Sequence, residues 1–580
     1  MRAPQSLTTR STDAPSFRVL SEGRAIPATL QVASVTVALE ANSISYAEIL
    51  IHDGDPARRE MPASEASEFA PDKRIRIELG YRQDEDPVFE GVVVRQRIQI
   101  LGGTAYFQVL CKDPAYVLTL GRNSRIFYDQ RDSDVINTLL SSRSVSGRAD
   151  STTVKHAQLV QYYASDWDFL LSRAEANGLL VYTKNGRVSV TKPDSIQLPA
   201  LAVQYGESVI ELDAEVDGRT QFGNVQAHAW DSARQSMISF SASNPPAPSP
   251  GDQTSSQLGR EIGLATHKLY HAGELKGQEL QAWASAERQR SQLAKVRGRV
   301  RIQGFNAVAP GQLIDLSGLG DHFSGKAFIS GVRHEFNGQN WETDIAFGLP
   351  PEPLGRRFDD VLPLPAEGLV PAVHGLHIGV VTAIEHDPDN AFRVRVRIPM
   401  IDEQEKGIWA RLATLDAGQE RGSVFLPEVG DEVVIGFLHD DPRNPIVLGQ
   451  LHSAKHQAPI KGAQNNPLKG FVTRSKLKLL FDDVKKIFSA ETPGGRKLIL
   501  DDKGGTITLQ DGNGNKMVFD SSGISIHTNG KLVLKADKNA DLSGMNVNIE
   551  AVTQLKAEGK MINLSATGNT VIKGAMVQIN

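Results

Sequence analysis

What the chain lacks narrows its possible roles first. Cys111 is its only cysteine, so disulfide frameworks and thiolate metal clusters within one chain are excluded, and Cys111 itself reads as a small buried residue on a strand around Tyr106–Cys111. No run of 18 apolar residues occurs, and the opening MRAPQSLTTRSTDAPSFRVL has no apolar core of signal-peptide length. The expectation is synthesis and assembly in the cytoplasm, with any exit left to other machinery. A formal charge of −5 over 580 residues indicates neither a general nucleic-acid binder nor an acidic tail. After Pro493 there is no proline, and from Lys497 onward Phe519 is the only aromatic residue. Every backbone N–H of that tail can therefore donate to a β-ladder, while its side chains offer little bulk for a core.

What the tail does have is a recurring phrase of two apolar residues separated by one other. It appears at Leu498/Leu500, Ile507/Leu509, Met517/Phe519, Ile524/Ile526, Leu532/Leu534, Ala540/Leu542, Val547/Ile549, Thr553/Leu555, Ile562/Leu564, Thr570/Ile572 and Val577/Ile579. Alternation of this kind marks strands with one buried face, spaced about eight residues apart, with glycines such as Gly504, Gly512 and Gly530 between them. Strands so short cannot shelter their own apolar faces. A single-chain β-helix needs turns of about twenty residues, and no cycle of that length stands out. Three identical chains winding round a shared axis solve the problem, and closure also hides the lateral strand edges. A single-chain sandwich or solenoid is the competing reading.

Upstream, residues 17–111 read as a β barrel or sandwich. A helical interlude follows: Asp132 or Ser133 is positioned to cap a helix carrying Val135, Ile136, Leu139 and Leu140. Ser165 with Asp168 resembles a capping box, and Asn177-Gly178 ends that second helix. Residues 242–256 are a Pro/Ser-rich loop, and a helix from about Glu274 to Leu293 precedes further strands. The proline-rich stretch from Pro350 to Pro371 is the best boundary. Residues 372–455 then offer five strands, His377–Ile384, Phe392–Ile398, Ile408–Leu412, Glu432–Leu438 and Ile446–Leu451, which suits a small barrel of the OB type. The expected organisation is 1–371, 372–455, a basic connector at 456–496, and the tail at 497–580.

The stretch Phe425-Leu-Pro-Glu-Val-Gly-Asp-Glu-Val-Val-Ile-Gly-Phe437, followed by Asp441-Pro-Arg-Asn-Pro-Ile-Val-Leu-Gly449, resembles the signature of VgrG-type spike proteins of contractile injection systems. The signature positions are Trp409, Phe425, Pro427, Gly430, Phe437, Asp441, Pro442, Pro445 and Gly449. Asp387-Pro-Asp with Arg393-Val-Arg-Val-Arg, and Gln161-Tyr with Ser165-Asp-Trp-Asp-Phe-Leu170 and Glu175-Ala-Asn-Gly178, resemble the same family. The resemblance implies a mainly β homotrimer: a phage-hub-like N-terminal region of two interleaved barrel-type subdomains, an OB-fold collar, and a triple-stranded β-helix needle. The implied partners are a PAAR-repeat tip protein, a hexameric tail-tube protein, baseplate proteins and effector cargo, with transient contact to a target membrane. Two departures, Glu428 in place of a basic residue and a chain ending with the needle, lean towards a phage-tail-like extracellular particle.

The trimer core of the needle is assigned to Leu498, Leu500, Ile507, Leu509, Ile524, Ile526, Leu532, Leu534, Val547, Ile549, Ile562 and Leu564, and tip docking to Met576, Val577, Ile579 and Asn580. No enzymatic constellation emerges, and no cofactor is expected. The pairs His374/His377, His452/His456 and His322/His334 lack accompanying ligands at metal spacing, and Glu385, Asp387 and Asp389 read as a hairpin turn. About forty residues separate collar and needle, too few for a lysozyme domain. Arg393, Arg395 and Arg397 alternate with valines as on the solvated side of a half-buried strand, so nucleic acid is not expected as a partner. The function expected is that of a non-enzymatic spike that punctures a target envelope. A trimeric fibre or adhesin bound to a surface receptor is the alternative.

Overall fold

A computed structural model describes residues 5–6, 14–243, 246–248, 250–404 and 406–579. It contains two compact units, residues 1–373 with 439–442, and residues 374–438 with 443–580.

In the first unit, valines and isoleucines at every second position produce strands with one buried face. Val32–Glu40, Tyr46–Asp53, Thr104–Lys112, Asp84–Leu101, Arg74–Tyr81 and Pro15–Ser21 lie side by side in that order and enclose one core, built on Ile49, Ile51, Ile75, Ile77, Phe69 and Phe107. Cys111 is buried in it, and burial pushes its thiol up to about 12. Leu201–Gln204, Glu211–Val216, Val296–Gln303, Leu313–Ser317 and Trp341–Phe347 enclose a second core. The 12-residue strand Gly325–Phe336 belongs to both, pairing with Leu313–Ser317 through its first four residues and with Trp341–Phe347 and Val32–Glu40 further along. The two expected barrel-type subdomains are thus one continuous 14-stranded sheet folded over two cores. Among the described residues this sheet does not close by strand pairing. Side chains bridge its edge instead, where the Phe17 ring packs 4.7 Å from Phe336.

The helices correct one expectation. Asp132 is the first residue of helix Asp132–Ser142, with Arg131 at the N-cap and the Asp134 carboxylate accepting the Arg131 N–H at 3.1 Å. The Asp132 carboxylate is buried and accepts hydrogen bonds from Arg173 at 2.6 Å, Asn177 at 2.9 Å and, through Nε2, His156 at 3.1 Å. Burial alone would push this carboxyl up. The His156, Arg173 and Asn177 bonds outweigh that and hold it well below the usual range. Helix Asp166–Ala176 is capped by Ser165 as expected, its hydroxyl accepting the Asp168 N–H at 3.0 Å. Asp166, also buried, is held by Arg125 at 2.9 Å, Arg143 at 2.8 Å and Gln161 at 3.0 Å. Of the 242–256 stretch read as a loop, residues 244, 245 and 249 lie outside the described residues, and the others up to Thr254 are loop; Thr254 and Gln257 then form a reciprocal capping box ahead of helix Ser255–Glu261.

In the second unit, strands His377–Ala383, Arg393–Arg397, Ile408–Leu412, Glu432–Phe437 and Pro445–Gln450 close into a five-stranded barrel. Beyond it, seven five-residue strands, Leu468–Val472, Lys478–Asp482, Ile487–Glu491, Lys497–Asp501, Thr506–Gln510, Lys516–Asp520 and Gly523–His527, form an antiparallel meander. Three of them belong to the stretch read from sequence as a connector, because the phrases there carry Phe and Lys and hide the alternation. The ladder also contains a cycle that the sequence reading did not find. Lys478-Leu-Leu-Phe-Asp482, Lys497-Leu-Ile-Leu-Asp501 and Lys516-Met-Val-Phe-Asp520 recur every 19 residues, each cycle being one hairpin. After His527 no strand is paired within the chain among the described residues.

Candidate functional site

The collar barrel is closed by Val381, Val394, Val396, Ala410, Val433, Ile435 and Val447, all buried. Strict alternation places Arg393, Arg395 and Arg397 on its outer side, where the first two already have partners. Arg393 forks onto Asp387 at 2.5–3.2 Å and reaches Asp389 at 2.5 Å, while the Arg395 guanidinium lies 5.6 Å from the Trp409 ring centre. Asp387 also accepts the N–H groups of Asp389, Ala391 and Arg393, so it is the staple of a hairpin turn. The Arg393 bond, with these N–H groups, holds its carboxyl far below the ordinary range.

The signature residues serve different ends. Pro427 and Pro445 are buried, and the Phe437 ring meets His377 edge-on at 5.7 Å. Gly430 adopts φ +96°, which favours glycine, and donates its N–H to Val381 at 2.8 Å. Gly449 sits beside a bulge in the pairing of Glu432–Phe437 with Pro445–Gln450. Asp441 is buried and Pro442 half-buried, and both group with the N-terminal unit. Phe425 leaves the barrel altogether and stacks on Phe471 of the first ladder strand, 5.4 Å away at 17°. Beside it, Glu428 accepts a hydrogen bond from Arg474 at 2.8 Å, which gives the acidic departure at 428 a cationic partner.

The ladder's register gathers the expected apolar residues into two columns. Leu498 faces Leu509, which faces Met517 on its other side, and Met517 faces Ile526. Leu500, Ile507, Phe519 and Ile524 form the second column in the same way, continued upward by Phe488 and Phe481. Nothing in one chain covers them: among the described residues, no apolar side chain after Val447 is buried.

From 531 to 579 even the backbone lacks partners. Among the described residues no backbone hydrogen bond forms within the chain there, and bends fall at 537–538, 545, 552–553, 560, 567–568 and 575. The sequence follows the bends with a period of 15: Asn529, Gly544, Gly559 and Gly574. Three residues after each stand Leu532, Val547, Ile562 and Val577, and five after stand Leu534, Ile549, Leu564 and Ile579. Val577 and Ile579, assigned from sequence to tip docking, therefore occur at the phase of the core pairs. Met576 is exposed, and Asn580 lies outside the described residues.

The histidines His322, His334 and His377 each have a different partner. His322 is exposed and bonded to Asp252 at 2.9 Å, whereas His334 is buried against Thr343 Oγ1 at 2.9 Å and burial lowers it to about 4. His377 Nε2 lies 3.1 Å from the His374 carbonyl oxygen. Sequence reasoning missed the buried Asp132 and Asp166 networks. Their signal was present in the motif residues Gln161, Asp166 and Asn177, which act as internal hydrogen-bond anchors.

Residues 11–338, more than half of the chain, match the Alg8 N-terminal domain family, and residues 377–452 match the type VI secretion system/phage-baseplate injector OB domain. Two curated proteins of Pseudomonas aeruginosa are similar. Type VI secretion system spike protein VgrG1b is 23% identical over 401 residues, 64% of this chain and 53% of that protein. Spike protein VgrG1c is 22% identical over 421 residues, 67% of this chain and 56% of that protein. The chain thus spans a little over half the length of these relatives. Among solved structures, the 43 kDa tail protein of prophage MuSo2 from Shewanella oneidensis aligns with a TM-score of 0.45 at 10% identity, covering 58% of this chain and 99% of that one.

Proposed function

The chain belongs to the Alg8 N-terminal domain family and, with its injector OB collar, to the VgrG-type spike proteins, and from that membership we propose that it is the puncturing spike of a contractile injection system. Three copies assemble through the tail. The observation that carries this reading is the condition of residues 468–579: two uncovered apolar columns, then a backbone without internal partners. Buried or load-bearing backbone groups must be paired, and a neighbouring copy is the partner that a repeating strand chain fits. Distributing axial load over many interchain hydrogen bonds suits a part that is pushed through an envelope.

In this reading the N-terminal unit meets a hexameric tail-tube protein and the baseplate, a PAAR-repeat protein docks on the residues around Met576, and effector cargo rides on the assembly. The spike is assembled in the cytoplasm, works mechanically and not as an enzyme, and reaches a target membrane only on firing. Light scattering of the purified full chain tests the core of the proposal: the mass of three chains is expected, and a folded single chain would reject it. Deleting the last ten residues is expected to leave the trimer intact but abolish retention of the tip protein, and unchanged retention would reject the docking assignment.

A further inference from the structure

On one edge of the ladder the same turn is built three times. Thr473, Thr492 and Asp511, 19 residues apart, each donate the backbone N–H to the carbonyl of the residue four further on. Each side-chain oxygen also accepts that residue's N–H, at 3.1 Å from Leu477, 3.3 Å from Arg496 and 2.9 Å from Asn515. The next such position is Gly530, which has no side-chain oxygen, and no turn forms there. Residues 528–529 instead fasten onto the third turn. Thr528 Oγ1 donates to Asn515 Oδ1 at 2.6 Å, and Asn529 Nδ2 donates to the Asn513 carbonyl at 3.0 Å. A Cβ at Gly514, where φ is +89°, would stand 2.4 Å from Asn529 Nδ2, so the closeness of the two segments depends on glycine. Directly beyond this clasp the 19-residue cycle ends, the 15-residue one begins, and backbone pairing within the chain stops.

We propose that the clasp joining Asn513 and Asn515 to Thr528 and Asn529 is the handover point of the shaft, where strands paired within one chain give way to strands paired with two further copies. The inference rests on the three-copy reading above. The clasp blocks an eighth strand from folding back, and it fixes the exit direction so that the 15-residue repeats of three chains meet in phase.

The test compares full-length wild type, N515A/T528A, and D501A by limited digestion with a lysine-specific protease. Asp501 serves as control because it accepts the Gly504 N–H at 2.7 Å in a turn on the opposite edge. Cleavage at Lys531, Lys535 and Lys538 is expected to rise about tenfold in N515A/T528A, which removes the Asn515–Thr528 bond together with the Asn515 bond to Asp511 and the Gly530 N–H bond to Thr528, and to stay at the wild-type rate in D501A. Equal rates in all three, in a protein of trimer mass, would overturn the clasp alone. A monomeric wild type would instead remove the three-copy reading. Should N515A/T528A fail to fold, N529A, which loses the bond to Asn513 and the side-chain bond to His527, carries the comparison, with a smaller rise expected and an unchanged rate counting against the proposal.

Discussion

Residues 468–527 and 531–579 speak nearly the same apolar phrase and adopt two different structures. The first stretch separates its strands with Asp- and Gly-bearing turns long enough for a hairpin, so each strand finds its partner in the same chain. The second offers single bends every seven or eight residues, too tight to reverse direction, and its strands find no partner at home. An apolar alternation specifies a strand and its buried face, whereas the length and chemistry of the gap decide whose strand it pairs with. Both stretches leave their apolar face open, so the difference concerns backbone pairing and not the need for cover.

The sharpest break of this comparison is a charge in a column. In the proposed trimer, L509D places three carboxylates against Leu498 and Met517, at a cost of several kcal/mol each. Loss of trimer mass is expected by light scattering, while S525D on the opposite face of the ladder keeps it. Next comes register. Removing residues 544–558, one whole 15-residue unit, is expected to preserve protease resistance of the remaining tail, and removing 544–551 to destroy it. Equal behaviour of the two deletions would mean that the period has no structural meaning.

Acid should separate the N-terminal unit from both stretches. His334 is held neutral by burial at about 4, so its contribution is complete above the unfolded value near 6.5 and is lost as pH falls from there through 4, by about 3 kcal/mol. Urea denaturation followed by Trp341 fluorescence, whose ring lies 6.0 Å from His334, checks this, and H334Q should flatten the profile. The smallest effect distinguishes the two tail stretches. Hydrogen bonds from Asn515 and from Ser522 lower the Asp511 and Asp520 carboxyls, so their turns are supported above the usual carboxylate range and weaken as pH drops through it. Amide exchange at Asn515 and Ser522 should quicken at low pH.

The five collar strands were legible because apolar residues recur within each run, most strictly at Val394, Val396 and Ile398. The Ser165 cap was legible for a similar reason, since its geometry is local. Asp132 was misread because a carboxylate before an apolar run looks the same whether it caps a helix or anchors a buried network, and His156, Arg173 and Asn177 meet it only after folding. The ladder's beginning at Leu468 was masked by lysines within its strands.

By itself the sequence determined which side chains share a face and the family resemblance, because periodicity and turn chemistry act within a few residues. Only the tertiary structure decided that Gly325–Phe336 serves two cores, that Phe425 abandons the barrel for Phe471, and that the ladder stops at His527. Each of those depends on which distant backbone edge is free to accept a hydrogen bond, and no local pattern encodes that.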